Sequence, residues 1–367
     1  MNGRERVRGA IRRQKIDRIP FYCDELFTDT ARRWLRDCLP QTQSAREDLF
    51  NYYCTDLFVD SSMRFEEKLI EENEETMTVS DKYGFVATRN KLIPGIHYNE
   101  HPVKNADDWQ RYKERLCVDF GQSGRIHEVT YFKPFEKWPA WREAGEIFSR
   151  KQKTGRYVVL RAYGPWEITW RLRGFENAMM DMYLNRAMIE DIIESYTIFL
   201  MGVIKKGLDT GIHPDAIFLL DDLGGNNGLL FSPVIIKELF YPAYKRLREF
   251  LTNHQLDFLL HSCGNIRDII PMYIEIGIDV LNPLQATEMD IVDIKKQYGN
   301  KLSFCGNINS RIMHKRKAIV DEMTYKIPAA MDGGGYIFAS DHSIPSEVGF
   351  EDYMFILQKA RELGTYG

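Results

Sequence analysis

Eight short β-type apolar runs, separated by stretches of helical period, restrict this chain to few folds. The runs lie at 19–25, 57–63, 157–165, 216–225, 257–264, 280–285, 302–308 and 336–345. Most of their cores are continuously apolar instead of alternating, the pattern of parallel strands buried on both faces. Helical stretches fall between them, at 4–15, 185–208, 232–254, 266–276, 290–298, 310–329 and 351–363. The helix at 232–254 opens on Ser232-Pro233, an N-cap followed by proline at the first helical position. From residue 216 onward strand and helix alternate five times. One series of eight predicts an α/β fold, a single (β/α)8 TIM barrel over 1–367, in preference to two domains. Two insertions break the series. Residues 66–90 alternate with period two and predict an antiparallel β-hairpin. Residues 98–155, rich in Trp, other aromatics and charge, predict helices and loops that cover one end of the barrel.

Charge narrows the partners. The chain carries 49 Lys+Arg against 53 Asp+Glu, a formal net charge of −4. That balance offers no electrostatic footprint for a phosphate backbone, so no nucleic-acid partner is expected. No apolar run approaches the roughly 18 residues of a membrane span. The opening residues lead into a charged amphipathic stretch and not an apolar signal segment, so the expected compartment is the cytoplasm. The six cysteines are scattered and do not read as a disulfide framework. Each is then a packing residue or a chemical one.

In a barrel of this kind the chemistry sits at the C-terminal strand ends. Those ends carry Asp24 and Glu25, Asp60, Arg161 and Tyr163, and Asp221 and Asp222. They continue with His261 and Cys263, Asn282 and Gln285, Cys305, and Asp341 and His342. Solvent contact alone would explain the acids, but explains the cysteines and histidines less well. His261-x-Cys263 is the sharpest feature, because residues i and i+2 of a strand point to one side. An imidazole and a thiolate so placed make half of a tetrahedral zinc site. The alternative is a hydrogen-bonded strand-end histidine beside an inert cysteine. Cys305 and His342 are the candidates for a third ligand, and three protein ligands would leave a fourth position open for substrate. Asp60, Asp221 and Asp222 are candidate catalytic acids that orient or proton-balance a substrate, or otherwise caps and ligand supports. Glu25, Arg161, Tyr163, Asn282 and Gln285 are candidate substrate-binding residues. No P-loop or nucleophile-elbow pattern is present.

Four segments carry a family resemblance: RERVRGAIRRQKIDRIP at 4–20, DDLGGNNGLLFSPVIIKELFYPAYKRL at 221–247, HSCGNIRDIIPMYIEIGIDVLNPLQ at 261–285 and SDHSIPSEVGFEDY at 340–353. The chain resembles the uroporphyrinogen decarboxylase superfamily, and its corrinoid-linked zinc methyltransferases more closely than its porphyrin decarboxylases. The resemblance implies a TIM barrel and favours a homodimer. The decarboxylases carry an RQAGRY-type arginine motif where this chain has Cys23-Asp24-Glu25-Leu26-Phe27-Thr28, and Asp222 stands near the place of their fourth-strand serine. Asp60 and His342 fall where they keep an essential Asp and a His. The methyltransferases bind zinc through an H-x-C pair, matched by His261 and Cys263, and a later Cys whose place reads Asp341-His342-Ser343 here. The resemblance thus implies a Zn2+ held by His261, Cys263 and His342, with Cys305 in reserve. It implies a small-molecule methyl donor or acceptor, and methylcobalamin on a partner corrinoid protein, since no D-x-H-x-x-G corrinoid motif is present. A ligand set with one thiolate fewer leaves the metal a stronger Lewis acid, suited to a methoxy-type donor. A tetrapyrrole decarboxylase resting on Asp60 and His342, and a catalytically retired tetrapyrrole- or corrinoid-binding barrel, are the other readings.

Overall fold

A computed structural model describes residues 1–22, 26–91, 95–128 and 138–367, without the side chains of Thr28 and Gln43. Seven strands pair in parallel and in chain order: Cys54–Val59, Tyr157–Tyr163, Ala216–Leu220, Asp257–His261, Val280–Asn282, Ser303–Cys305 and Tyr336–Ile337. Their residues are almost all buried, which is why these stretches read as unbroken apolar runs. The first of them starts and ends earlier than the run at 57–63 suggests. It stops at Val59 because Arg125 O accepts the Asp60 N–H, next to an antiparallel pairing with Ile126–His127.

The run at 19–25 extends into residues outside those described. Its described part makes isolated bridges and no regular strand. Tyr22 N donates to Phe338 O (2.9 Å), Phe338 N to Pro20 O (2.9 Å) and Tyr53 N to Phe21 O (2.8 Å). The segment is therefore bonded to the residues that flank the two outermost of the seven parallel strands, Tyr53 before the first and Phe338 after the last. The period-two stretch forms more than a hairpin. Lys68–Glu72, Thr76–Ser80, Val86–Asn90 and Ile96–Glu100 make a four-stranded antiparallel sheet. Its central Asp81–Gly84 turn is pinned where Tyr83 N donates to Asp81 Oδ1 (2.8 Å) and the Tyr83 hydroxyl meets Ser61 Oγ (3.1 Å). The sheet is thereby anchored beside the end of the Cys54–Val59 strand.

Helices follow most strands. Pro165–Arg173, Phe175–Leu184 and Arg186–Asp209 come after Tyr157–Tyr163, and Tyr241–Asn253, Ile270–Ile276, Ile291–Tyr298, Arg316–Met331 and Phe350–Leu363 follow later ones. Ser232 accepts the Ile235 N–H (3.3 Å) and caps the segment leading into Tyr241–Asn253, which first passes through a wide turn at Ile236–Phe240. At the opposite end, the helix Gly3–Ile11 is tied across the strand starts. Arg4 Nε and Arg8 Nη2 reach Asp215 Oδ1 (2.6 and 2.7 Å), and Arg12 reaches Asp257 (3.0 Å). Among the described residues no helix is long and apolar enough to cross a membrane.

Candidate metal centre

Three potential ligands converge at the ends of the neighbouring strands Ala216–Leu220 and Asp257–His261. Ligand atoms of Asp222, His261 and Cys263 all lie within 4.8 Å of one another. Cys263 Sγ is 3.3 Å from His261 Nε2, and His261 Nε2 is 3.7 Å from Asp222 Oδ1. A tetrahedral ion with bonds of about 2.0–2.3 Å holds its ligand atoms about 3.3–3.7 Å apart. These two separations match the edges of such a tetrahedron, and the N, S, O donor set suits zinc.

The loops that carry these groups are locked together. Cys263 N donates to Asp222 Oδ1 (2.8 Å), and Asn265 N to Gly225 O (2.9 Å). Gly264 has φ +80°, and a Cβ there would lie 2.3 Å from the Gly224 carbonyl carbon. A Cβ on Gly224 would in turn lie 2.4 Å from Cys263 O. Two facing glycines let the loops approach closely enough for Asp222 to join the His-x-Cys pair.

The tautomer of His261 follows from its partner. Asn282 Nδ2 donates to Cys305 O (3.0 Å), so its Oδ1 faces His261 Nδ1 (2.5 Å). The reversed amide would set two carbonyl-type oxygens against each other. Nδ1 therefore carries the proton and Nε2 presents its lone pair toward Cys263 and Asp222. Burial holds the imidazole below its ordinary pKa, outweighing the opposing pull of Asp222 and Asn282. It is neutral and able to ligate at neutral pH.

A cavity of about 200 Å³ opens beside this cluster. Arg161, Tyr163, Glu167, Arg171, Leu220, Asp222, His261, His342 and Ser343 line it. Arg171 is ion-paired with Glu167, and its guanidinium lies 4.1 Å from the Tyr163 ring centroid. Burial raises the Glu167 carboxyl, reinforced by Asp222 and opposed by Arg171. Burial alone would lower Arg171, but Tyr163 and Glu167 raise it above its usual value. Arg161 is ion-paired with Asp56 (3.3 Å), which also accepts from the Tyr22 hydroxyl (2.9 Å). His342 is exposed, stacks on Phe27 and accepts the Ser343 N–H at Nδ1 (2.8 Å).

The expected site residues thus separate. His261, Cys263 and Asp222 come together, with Arg161, Tyr163 and His342 on the same cavity. Among the described residues, neither His342 nor Cys305 belongs to a group of ligands within 4.8 Å. Cys305 is buried, because it belongs to the packed strand Ser303–Cys305. Asn282 and Gln285 support the cluster from behind, since Gln285 Oε1 accepts the Gly264 N–H (2.9 Å). Asp341 accepts from Ala286 N and Ser310 N, bracing the strand-end loops. Glu25 lies outside the described residues.

Asp221 is fully buried and does not face the cavity. Its Oδ1 accepts the Glu167 N–H (2.9 Å) and its Oδ2 the Tyr244 hydroxyl (2.5 Å). It stands in as the cap of the Pro165–Arg173 helix, whose N-cap Gly164 has no side chain to offer. A Cβ on Gly164 would overlap Asp221. Burial pushes the Asp221 carboxyl well above its ordinary value, with Glu167 and Asp222 adding to the effect.

Asp60 is also enclosed. Arg64 Nε (3.0 Å), Arg125 Nη1 (3.5 Å) and Lys82 Nζ (3.8 Å) surround it, and its side chain is 0% exposed. Burial raises its pKa, yet Lys82, Arg125, the Ser62 side chain and Arg64 together bring it below the usual range. A depressed folded-state pKa contributes stability above the unfolded value near pH 4, lost as pH falls through the folded pKa. Asp60→Ala should cost about 3–5 kcal/mol by stranding buried guanidinium charge, while leaving metal content unchanged. Chemical denaturation beside metal analysis checks both outcomes. Glu167 and Arg171 also line the cavity; the sequence offers Arg171 only as a cation for substrate carboxylates in the decarboxylase reading, and Glu167 not at all. Their signal was an acid–arginine pair at i and i+4 in an otherwise apolar helix start.

A family model described as Uroporphyrinogen decarboxylase (URO-D) matches residues 122–363. Two curated uroporphyrinogen decarboxylases, from the Sheila Smith and Iowa strains of Rickettsia rickettsii, are each 32% identical over 213 residues. The match covers 54% of this chain and 58% of theirs, so the chain spans little more than half the length of those relatives. A methyltransferase from Methanosarcina mazei has a similar fold, with a TM-score of 0.66 over 99% of this chain and 98% of that chain at 15% identity. With a match that spans more than half of its residues, the chain belongs to the uroporphyrinogen decarboxylase family.

Proposed function

We propose that this chain is a zinc-dependent methyltransferase of a corrinoid-linked methyl-transfer system, built on a single closed (β/α)8 barrel. The observation that carries the reading is the convergence of Asp222, His261 and Cys263 at tetrahedral spacing beside a cavity. Closure is supported by the bonds that join residues 20–22 to Tyr53 on one side and Phe338 on the other. Asp222, His261 and Cys263 would hold the ion, replacing the set completed by His342 or Cys305. When bound, the ion would supply Lewis acidity toward the heteroatom that bears or receives the methyl group.

The protein's own groups do the rest. Asn282 fixes the His261 tautomer, and the Cys263 N–H orients Asp222. Arg161, Tyr163 and the Arg171–Glu167 pair form a pre-set polar wall that orients a small substrate. His342 has its Nδ1 occupied by the Ser343 N–H, so its neutral ring carries the proton at Nε2 and can donate to substrate. A cavity near 200 Å³ lies below the ~300–1,000 Å³ of typical ligand pockets and suits a small methyl donor or acceptor. Methylcobalamin on a partner corrinoid protein would carry the methyl group, docking at this rim.

Elemental analysis tests the reading. The purified chain should hold about one zinc, and His261→Ala less than about a tenth. A zinc-free native chain, equally able to exchange methyl groups with cobalamin, would end the proposal. A carboxy-lyase is the second reading, favoured by the names of the Rickettsia relatives. It relies on Asp60 and His342, but Asp60 is enclosed by three cations. Carbon dioxide release from uroporphyrinogen by metal-stripped protein would favour it.

A further inference from the structure

The three cations around Asp60 outnumber the charge they surround. Arg64 and Arg125 are 4% and 0% exposed, and only Lys82, at 25%, reaches the surface. Backbone oxygens take up much of the guanidinium capacity. Arg64 donates to Gly124 O (2.5 Å), and Arg125 to Ser62 O (2.7 Å) and Cys117 O (2.7 Å). Two donor groups are left over. Arg125 Nη2 is buried without a hydrogen-bond partner. The Lys82 ammonium makes no hydrogen bond among the described residues; its nearest carboxylate oxygen is 3.8 Å away and the Trp138 ring centroid 4.8 Å.

The neighbouring acids do not restore the balance. Asp81 is ion-paired with Arg89 (3.0 Å). Glu67 makes no ion pair with Lys82, and burial together with Asp81 raises its carboxyl toward the neutral form. Trp138 also receives the Arg64 guanidinium at 4.6 Å, so one indole ring meets two cations. His127 stands at the edge of the same ring.

We propose that Lys82, which lies with Arg64 over the Trp138 ring and has Arg125 behind it across Asp60, is an anion subsite for a carboxylate or phosphate group of a bound small molecule. Lys82 donates the hydrogen bonds and the two guanidiniums supply the field. The Asp81–Gly84 turn of the antiparallel sheet delivers the lysine. Its neighbour Tyr83 packs on Tyr163, at a ring separation of 6.3 Å. Tyr163 lines the cavity beside the metal cluster. The subsite therefore lies one aromatic layer from the cavity, and it stands whether or not the cluster binds zinc.

Isothermal titration of the full chain with sodium acetate and, separately, inorganic phosphate tests this. Saturable binding of either anion is expected, weakened at least tenfold in Lys82→Gln and retained in Lys82→Arg. Stronger binding of acetate assigns the subsite to a carboxylate, and stronger binding of phosphate to a phosphate ester. Cys263→Ser removes the alternative anion site on a bound metal. Binding lost in Cys263→Ser but intact in Lys82→Gln overturns the proposal, as does the absence of saturation with both anions. Circular dichroism of Lys82→Gln and Lys82→Arg separates lost binding from lost folding.

Discussion

On the proposed zinc reading, Asp222→Ala is expected to lower zinc affinity by about two to three orders of magnitude, whereas His342→Ala is expected to leave the ion in place. The contrast follows from where the two side chains lie. Asp222 Oδ1 is 3.7 Å from His261 Nε2 and anchored by the Cys263 N–H, while His342 lines the cavity outside the ligand group. Apparent affinities for structural zinc of about 10–16 kcal/mol are shared among four ligands, so loss of one is worth several kcal/mol. Competition with a chromogenic chelator measures it. His342→Ala should instead reduce turnover with little change in zinc stoichiometry, because the role proposed for it is toward substrate. The reverse result, with zinc lost in His342→Ala and kept in Asp222→Ala, would move the third ligand back to the histidine and require a different loop arrangement.

Gly264→Ala is expected to destabilise the fold by about 3–5 kcal/mol and, with the proposed zinc bound, to release it. Its φ of +80° alone costs an L-residue about 1–2 kcal/mol. The added methyl would also lie 2.3–2.7 Å from the backbone of Gly224 and Gly225, atoms that cannot rotate aside. The loops must part, and Asp222 leaves with one of them. Gly211→Ala is the control. It has φ +89° but nothing within 4 Å of the new Cβ, so only the backbone term of about 1–2 kcal/mol applies. Denaturant midpoints and zinc content of the two variants should differ accordingly. Equal losses would show that the close approach of the loops does not matter.

Much of this arrangement is legible in the residues because its signals are local. Burial on both faces leaves continuous apolar runs, and seven of the eight runs pair as parallel strands. The His-x-Cys spacing places two donors on one side of a strand end by geometry alone. Asp222 as the third donor is not readable that way. It depends on a contact between two loops some 40 residues apart, permitted by a pair of glycines that individually look like ordinary turns. The enclosure of Asp60 is hidden for the same reason. Arg64, Lys82 and Arg125 come from a strand-end loop, an antiparallel turn and a short edge strand's approach. The fourth strand at Ile96–Glu100 escapes notice because its period-two pattern is short and mostly exposed. Asp221 presents the opposite case, a strand-end acid that looks catalytic and caps a helix instead.

The ties of the Gly3–Ile11 helix have a consequence for the order of assembly. Arg4 and Arg12 bind partners 211 and 245 residues further along the chain. At synthesis rates of about 5–20 residues per second, Asp257 emerges roughly 10–50 s after the helix does. During that interval the helix, with its buried Val7, Ala10 and Ile11, has the starts of Cys54–Val59 and Tyr157–Tyr163 beside it, but neither Asp257 nor the Tyr336–Ile337 strand against which it also packs. An element made before all seven parallel strands is thus among the last to settle. Nascent chains truncated before Asp215 should present it to chaperones and proteases that the finished protein escapes.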